Sequence, residues 1–301
     1  MKPISAIPQG LLPARPPETH KGDLGHVFVI AGSEAMTGAG ILCSLAALRT
    51  GAGLVTLAVP KSLHGVVASK VMEVITRPFP ETKTKSLSLQ ALPEMLRFIE
   101  QRIDVVAIGP GLSEAPQTQQ LVRRLLPQLT KPCVIDADGL NALVRHASVL
   151  NQMKLPPIVT PHPGEMARLF QRPRDEVMRK RQHIAKSFAT SHRSVTVLKG
   201  YRTVVANIDG QLSINETGNP GMATAGAGDV LTGMIAGLLG QRLKPFDAAR
   251  LGVYLHGLAG DLAAAEQGQV GLIASDLLAT IPRAIRRYQG AVQTANATTP
   301  A

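Results

Sequence analysis

The sequence predicts an α/β fold in which a central, mostly parallel sheet is covered by helices on both faces. The first sign is a set of short apolar runs rich in β-branched residues: HVFVIA (26–31), LVTLAV (54–59), DVVAIG (104–109), PCVIDA (132–137), PPIVTP (156–161) and VTVLKG (195–200). They are continuous rather than alternating in polarity, as strands are when both faces of a parallel sheet are covered. The second sign is what separates them, segments of helical pattern near 38–50, 88–101, 116–129, 139–147 and 174–190. That β-then-α rhythm belongs to a doubly wound sheet. Third, no linker or internal repeat divides the 301 residues, so one domain is expected.

In chain order, residues 1–19 are expected to form a Pro-rich lead-in and 20–289 a single α/β domain. TVVAN (203–207) and QLSIN (211–215), joined by IDG, predict a hairpin after the parallel strands. Beyond Gly218 the pattern turns helical through DVLTGMIAGLLG, PFDAARLGVYLHGLAGDLAAAEQ and ASDLLATIPRAIRRYQ. The small, polar segment 290–301 is expected to be a disordered tail.

Composition narrows the function. A net charge of +11 suits anionic, phosphorylated substrates, or nucleic acid. Basic residues are dispersed, with local clusters at 172–181 and 283–287, and aromatics make up 3% of the chain, which removes the stacking platforms of nucleic-acid binders. Cys43 and Cys133 lie far apart in apolar runs without metal or CxxC spacing and read as reduced core residues. No signal-like or membrane-length apolar run is present, so a soluble cytoplasmic protein with no membrane partner is expected.

The chemistry concentrates in GNPGMATAGAGDVLTGMIAGLLG (218–240). Gly226-Ala227-Gly228 can turn sharply into a helix starting at about Gly228, and its N–H groups with the helix N-terminus make an anion site. Asp229, in the first turn, is placed to take a proton from a hydroxyl while the loop holds a transferring phosphoryl group. Alternatively, Asp229 only caps the helix and the glycines only permit close packing. Other candidates sit where strands end. Gly109-Pro110-Gly111 is a ligand loop or a plain turn; Lys199 reaches phosphate or is solvated. Asp136 and Asp138 help bind magnesium through water or cap the next helix. His162, between prolines, is a site residue or a turn histidine, and a zinc site is disfavoured because no second His or Cys has ligand spacing. GSEAMTGAG lacks the GxGxxG spacing, and LVTLAVP ends without the acidic residue a ribose needs, so a Rossmann site is disfavoured.

The GAGD loop resembles that of the ribokinase-like superfamily. Together with HKGDLGHVFVIAGSEAMTGAG (20–40), IGPGLS, VIDADGLNAL, VTPHPGEMARL and VLKGYRTVVA, the chain is similar over residues 20–285 to the ADP-dependent NAD(P)H-hydrate dehydratases. That resemblance implies dehydration of the S epimer of hydrated NADH or NADPH, driven by ADP with Mg2+ and releasing AMP and phosphate. It implies that Ala39, Gly111, His162 and Asp229 contact the hydrated nicotinamide nucleotide. Lys199, Gly200, Tyr201, Arg202, Thr203 and Gly228 would hold the adenine nucleotide, with Asp229 catalytic; the metal ligands stay open. It further implies a homotetramer, supported if helix 38–50 or 246–265 exposes an apolar patch, and a separate epimerase as functional partner. Two departures from the family pattern, Ala225 and Ala227 in the loop and Gly139 in DADGLN, remove no proposed catalytic group. The rival expectations are a vitamin-precursor kinase, for which the HKGDLGHVFVIAGS and TPHPGE blocks are foreign, and a non-catalytic nucleotide-binding protein.

Overall fold

In a computed structural model of the chain, residues 8 and 10–297 are described. Among them nine strands form one sheet in the order β3-β2-β1-β4-β5-β6-β7-β8-β9. They are β1 (His26–Ile30), β2 (Leu54–Pro60), β3 (Ile75–Phe79), β4 (Val105–Ile108), β5 (Cys133–Ile135), β6 (Ile158–Val159), β7 (Val195–Leu198), β8 (Val204–Ala206) and β9 (Leu212–Ile214). Pairing is parallel from β3 to β7, and the expected hairpin adds β8 and β9 antiparallel. In register, Val29 sits between Leu57 of β2 and Ala107 of β4. Strand order reverses between β1 and β4, which opens a crevice at their carboxyl ends, the usual ligand position in such sheets.

The helices are α1 (Thr37–Thr50), α2 (His64–Ala68), α3 (Leu92–Arg102), α4 (Pro116–Leu125), α5 (Ala137–Asn141), α6 (Val149–Gln152), α7 (Pro163–Leu169), α8 (Arg174–Arg179), α9 (Arg181–Ser191), α10 (Ala227–Gly240), α11 (Pro245–Gln267) and α12 (Ala274–Ala297). Several expected bounds change. The helix expected over 139–147 is the short α5 followed by turns, with Arg145 left-handed at φ 63°. The one expected over 174–190 breaks at Lys180, whose φ and ψ of −117° and 35° leave the helical region. α12 runs through residue 290, where the disordered tail was expected to begin, to Ala297; residues 298–301 lie outside those described. Edge strand β3 was not anticipated: ITRPF interrupts its apolar residues with Arg77 and Pro78, and proline is tolerated where one side of a strand is unpaired.

Side chains alternate across the sheet and build two cores. Val27 and Val29 face the layer of α1, α10, α11 and α12, whose core is rich in alanine, valine and leucine. Phe28 and Ile30 face the opposite layer, filled by Phe79, Phe188, Met95, Leu121 and similar bulky groups. Both cysteines are free and buried. α10 meets α1 almost backbone to backbone: a Cβ on Gly233 would collide with the Cys43 carbonyl, and one on Gly237 would lie 2.6 Å from the Ala47 carbonyl oxygen. The lead-in is tied down by Arg15, which donates to the Gly51 carbonyl (3.1 Å), and by Tyr288, whose hydroxyl donates to the Pro8 carbonyl. Neither α1 nor α11 carries an exposed large apolar side chain among the described residues, so the patch that would support assembly is not on them. Val66, Met72 and Ile75, near the sheet edge, are exposed instead. No described helix is long and apolar enough to cross a membrane.

Candidate active site

Asp229 stands in the first turn of α10. Gly226 precedes that helix with φ +87°, a left-handed conformation that glycine adopts without strain and that turns the chain into the helix. First-turn N–H groups have no partner within a helix and so face outward as donors. Burial, and then the nearby Asp136 carboxylate, push the Asp229 carboxyl up to about 7. A carboxyl in that range can exchange a proton near neutral pH.

Beneath the loop lies a buried ion pair. Lys199, one residue past β7, donates to Asp136 Oδ1 at 2.7 Å, and Thr232 of α10 donates to Asp136 Oδ2 at 2.8 Å. Asp136 follows β5 and is 1% exposed, so it depends on these partners. Burial disfavours the Lys199 charge, but Asp136 and Glu165 outweigh it and its pKa is raised. A Cβ on Gly228 would come within 3.3 Å of Lys199 Nζ, so the loop backbone passes directly over the ammonium. Lys199, Gly228 and Asp229 are thereby brought together from chain positions some thirty residues apart or adjacent.

His162 caps α7. Its Nδ1 accepts from the N–H groups of Gly164 (3.0 Å) and Glu165 (3.2 Å), while Glu165 Oε2 accepts from the His162 N–H at 2.7 Å. This reciprocal box leaves the proton of the neutral ring on Nε2. Burial and then Lys199 lower the His162 pKa, so the neutral form dominates. Glu165 lies 3.9 Å from Lys199, and burial raises its pKa. Across the crevice the β1 and β4 loops touch: Gly32 N–H donates to the Pro110 carbonyl at 2.8 Å. Gly111 has φ +61°, and a Cβ there would lie 2.9 Å from the Ala39 Cβ, so Ala39 and Gly111 form one wall at the switch point.

A family model described as NAD(P)H-hydrate dehydratase matches residues 27–283. The chain belongs to the NAD(P)H-hydrate dehydratase family. Among its relatives, the bifunctional NAD(P)H-hydrate repair enzyme Nnr of Moorella thermoacetica is 50% identical over 283 residues, 94% of this chain and 53% of that protein. The Escherichia coli enzyme of the same name is 38% identical over 91% of this chain and 50% of its own length. The chain thus spans about half the length of the curated relatives it matches. The ADP/ATP-dependent NAD(P)H-hydrate dehydratase of Bacillus subtilis, co-crystallised with ATP/Mg2+, superposes with a TM-score of 0.81 at 32% identity, covering 96% of this chain and 99% of that one. The ribokinase-like fold extends to an Enterococcus faecalis superfamily protein, with a TM-score of 0.77 at 28% identity.

In this dehydratase-family chain the segment 199–203 divides. Lys199 is drawn inward, whereas Tyr201 is 86% exposed and Arg202 turns out to pair with Glu216 at 2.9 Å. Thr203 Oγ1 donates to the Gly200 carbonyl at 2.9 Å and closes the turn. Arg181, which sequence reasoning missed inside the basic cluster 172–181, fixes this segment. It donates to the carbonyls of Leu198 (3.0 Å), Lys199 (3.2 Å) and Tyr201. Asp138 is spent on Ser113 N–H (2.9 Å) and Asn141 (3.0 Å). Among the described residues no three His, Cys, Asp or Glu side chains form a metal cage. The donor set therefore fits a magnesium ion only as one carried by nucleotide phosphates and water.

Proposed function

We propose that the chain restores NADH and NADPH from the S epimers of their hydrates, with ADP as co-substrate and AMP and phosphate as products. The observation that carries this reading is Asp229, a carboxyl with a pKa of about 7, set at an anion-binding helix start directly beside the Lys199–Asp136 pair.

The hydroxyl of the hydrate sits on a ring carbon bonded to nitrogen. Asp229 takes its proton while the oxygen attacks the terminal phosphorus of ADP, and AMP leaves. Loop N–H groups and Lys199 offset the charge that develops on the transferring group. The nitrogen lone pair then expels phosphate as the C–O bond breaks. Loss of a proton from the neighbouring carbon to phosphate restores the ring double bond, so one ADP is consumed per NADH recovered. Ala39, Gly111 and His162 would line the nicotinamide side, with neutral His162 offering its Nε2–H as a donor. Gly200, Tyr201, Arg202 and Thr203 would take the adenosine side. Magnesium, when bound with the nucleotide, supplies further charge neutralisation at its phosphates.

The family's other expectations, a cytoplasmic homotetramer working with an NAD(P)H-hydrate epimerase, belong to the same reading. The kinase alternative has a fold relative in the hydroxyethylthiazole kinase of Pyrococcus horikoshii, at a TM-score of 0.58 and 13% identity, which speaks to the fold alone. Purified protein incubated with hydrated NADH, ADP and magnesium should regain the NADH absorbance band with equal AMP and phosphate. A stable phosphorylated product without NADH recovery would favour the kinase reading.

A further inference from the structure

The segment 217–228, which ends in the anion loop, is held at both ends by a single helix. At its start, Asp261 of α11 accepts from Gly218 N–H at 2.9 Å and from Asn219 Nδ2 at 3.0 Å. Asn219 Oδ1 in turn accepts from Gly221 N–H at 3.0 Å, and Thr217 Oγ1 donates to the Tyr254 carbonyl at 2.9 Å. α11 lets the segment lie against its backbone here: a Cβ on Gly257 would collide with Thr217, and one on Gly260 with Met222. At the far end, His256 Nε2 lies 2.9 Å from the carbonyl oxygen of Ala227, two residues before Asp229. A carbonyl only accepts, so Nε2 carries the proton and donates. Burial lowers the His256 pKa to about 4, and the ring stays neutral with that proton fixed through the neutral range.

Both contacts end on the glycine-rich segment itself. Asp261 spends both oxygens on the first residues of the segment, and the His256 donor is spent on the residue between the two loop glycines. We propose that Asp261 and His256 are positioning residues for phosphoryl transfer, anchoring the two ends of the glycine-rich segment to α11 and so setting the loop amides and Asp229 in their working geometry. The inference rests on the phosphoryl-transfer reading above. Its physical basis is that donors stabilise a transition state only where they are already aimed, and a displacement of about 1 Å can cost on the order of a hundredfold in rate.

The test compares Asp261→Ala, Asp261→Asn and His256→Phe with wild type. Asp247→Asn serves as a control on the same helix, where Asp247 only pairs with Arg250 at 3.5 Å. Asp261→Ala should lower kcat roughly tenfold to a hundredfold and raise KM for ADP, with KM for hydrated NADH within about twofold of wild type. Asp261→Asn should recover part of the loss, since its amide oxygen can still accept from Gly218. His256→Phe should fall in the same direction, and Asp247→Asn should match wild type. ADP affinity, measured by titration calorimetry without turnover, should weaken roughly tenfold in Asp261→Ala, less in Asp261→Asn and not in Asp247→Asn. Unchanged kcat and ADP affinity per folded molecule, or losses that follow only the drop in melting temperature, would overturn the proposal. If wild type binds ADP but releases no phosphate, the functional reading fails, and the calorimetric comparison still decides whether Asp261 shapes the nucleotide site.

Discussion

The two faces of the sheet solve packing in opposite ways. One face is filled by bulky side chains such as Phe28, Phe79 and Phe188. The other brings helix backbones together at Gly233 and Gly237, and its helix α10 carries Asp229. Bulky packing can relax around a small change, whereas two backbones in contact have no side chain to yield. Placing α10 on the backbone-contact face fixes Asp229 relative to the strand ends that hold Lys199 and Asp136.

That contrast can be broken by substitution. The largest effect on stability is expected from Lys199→Met, which leaves the buried Asp136 carboxylate with Thr232 alone and should cost about 3–5 kcal/mol in denaturant unfolding. On the bulky face, Leu121→Ala should cost about 2–5 kcal/mol yet leave kcat per folded molecule unchanged. On the other face, Gly233→Ala should cost no less than Leu121→Ala and should also lower kcat, because its Cβ would collide with the Cys43 carbonyl and α10 must move away, carrying Asp229 with it. If Leu121→Ala and Gly233→Ala affect kcat alike, the contrast between the faces fails.

A smaller effect follows from pH. Asp229 must be ionised to accept a proton, so kcat/KM should rise with pH and level off above about 7. The linkage has the opposite sign for stability. Because the folded pKa of Asp229 lies above its ordinary value of 3.8, keeping it charged costs stability, and that cost grows as pH rises from about 4 to about 7. Asp229→Asn should therefore be more stable than wild type at pH 8, by on the order of 1 kcal/mol once solvent screening is allowed for.

Sequence patterns carried the parallel strands well, because a strand buried on both faces is mostly apolar along its length, as VFVI of β1 and VVAI of β4 are. β3 escaped because an edge strand tolerates Arg77 and Pro78. The glycine-rich turn into α10, with Asp229 in its first turn, was legible because a left-handed glycine and a helix start are adjacent in sequence. The partners were not: Asp136 and Lys199 are joined only by the order of strands, across 63 residues. Arg181 reads as one more basic residue of an exposed cluster until its burial against the Leu198 carbonyl is seen. His162 and Glu165 do have capping-box spacing, yet histidine is not among the usual cap residues, and the signal passed for a turn.

The central claim is that Asp229 removes the hydroxyl proton in an ADP-driven dehydration. Its most direct test measures NADH recovery by wild type and Asp229→Asn with saturating hydrated NADH and ADP, alongside ADP binding to both. The account predicts ADP affinity within a few-fold and kcat lower by about 10²–10⁴ in the variant. Equal rates of NADH recovery from the two proteins would contradict it.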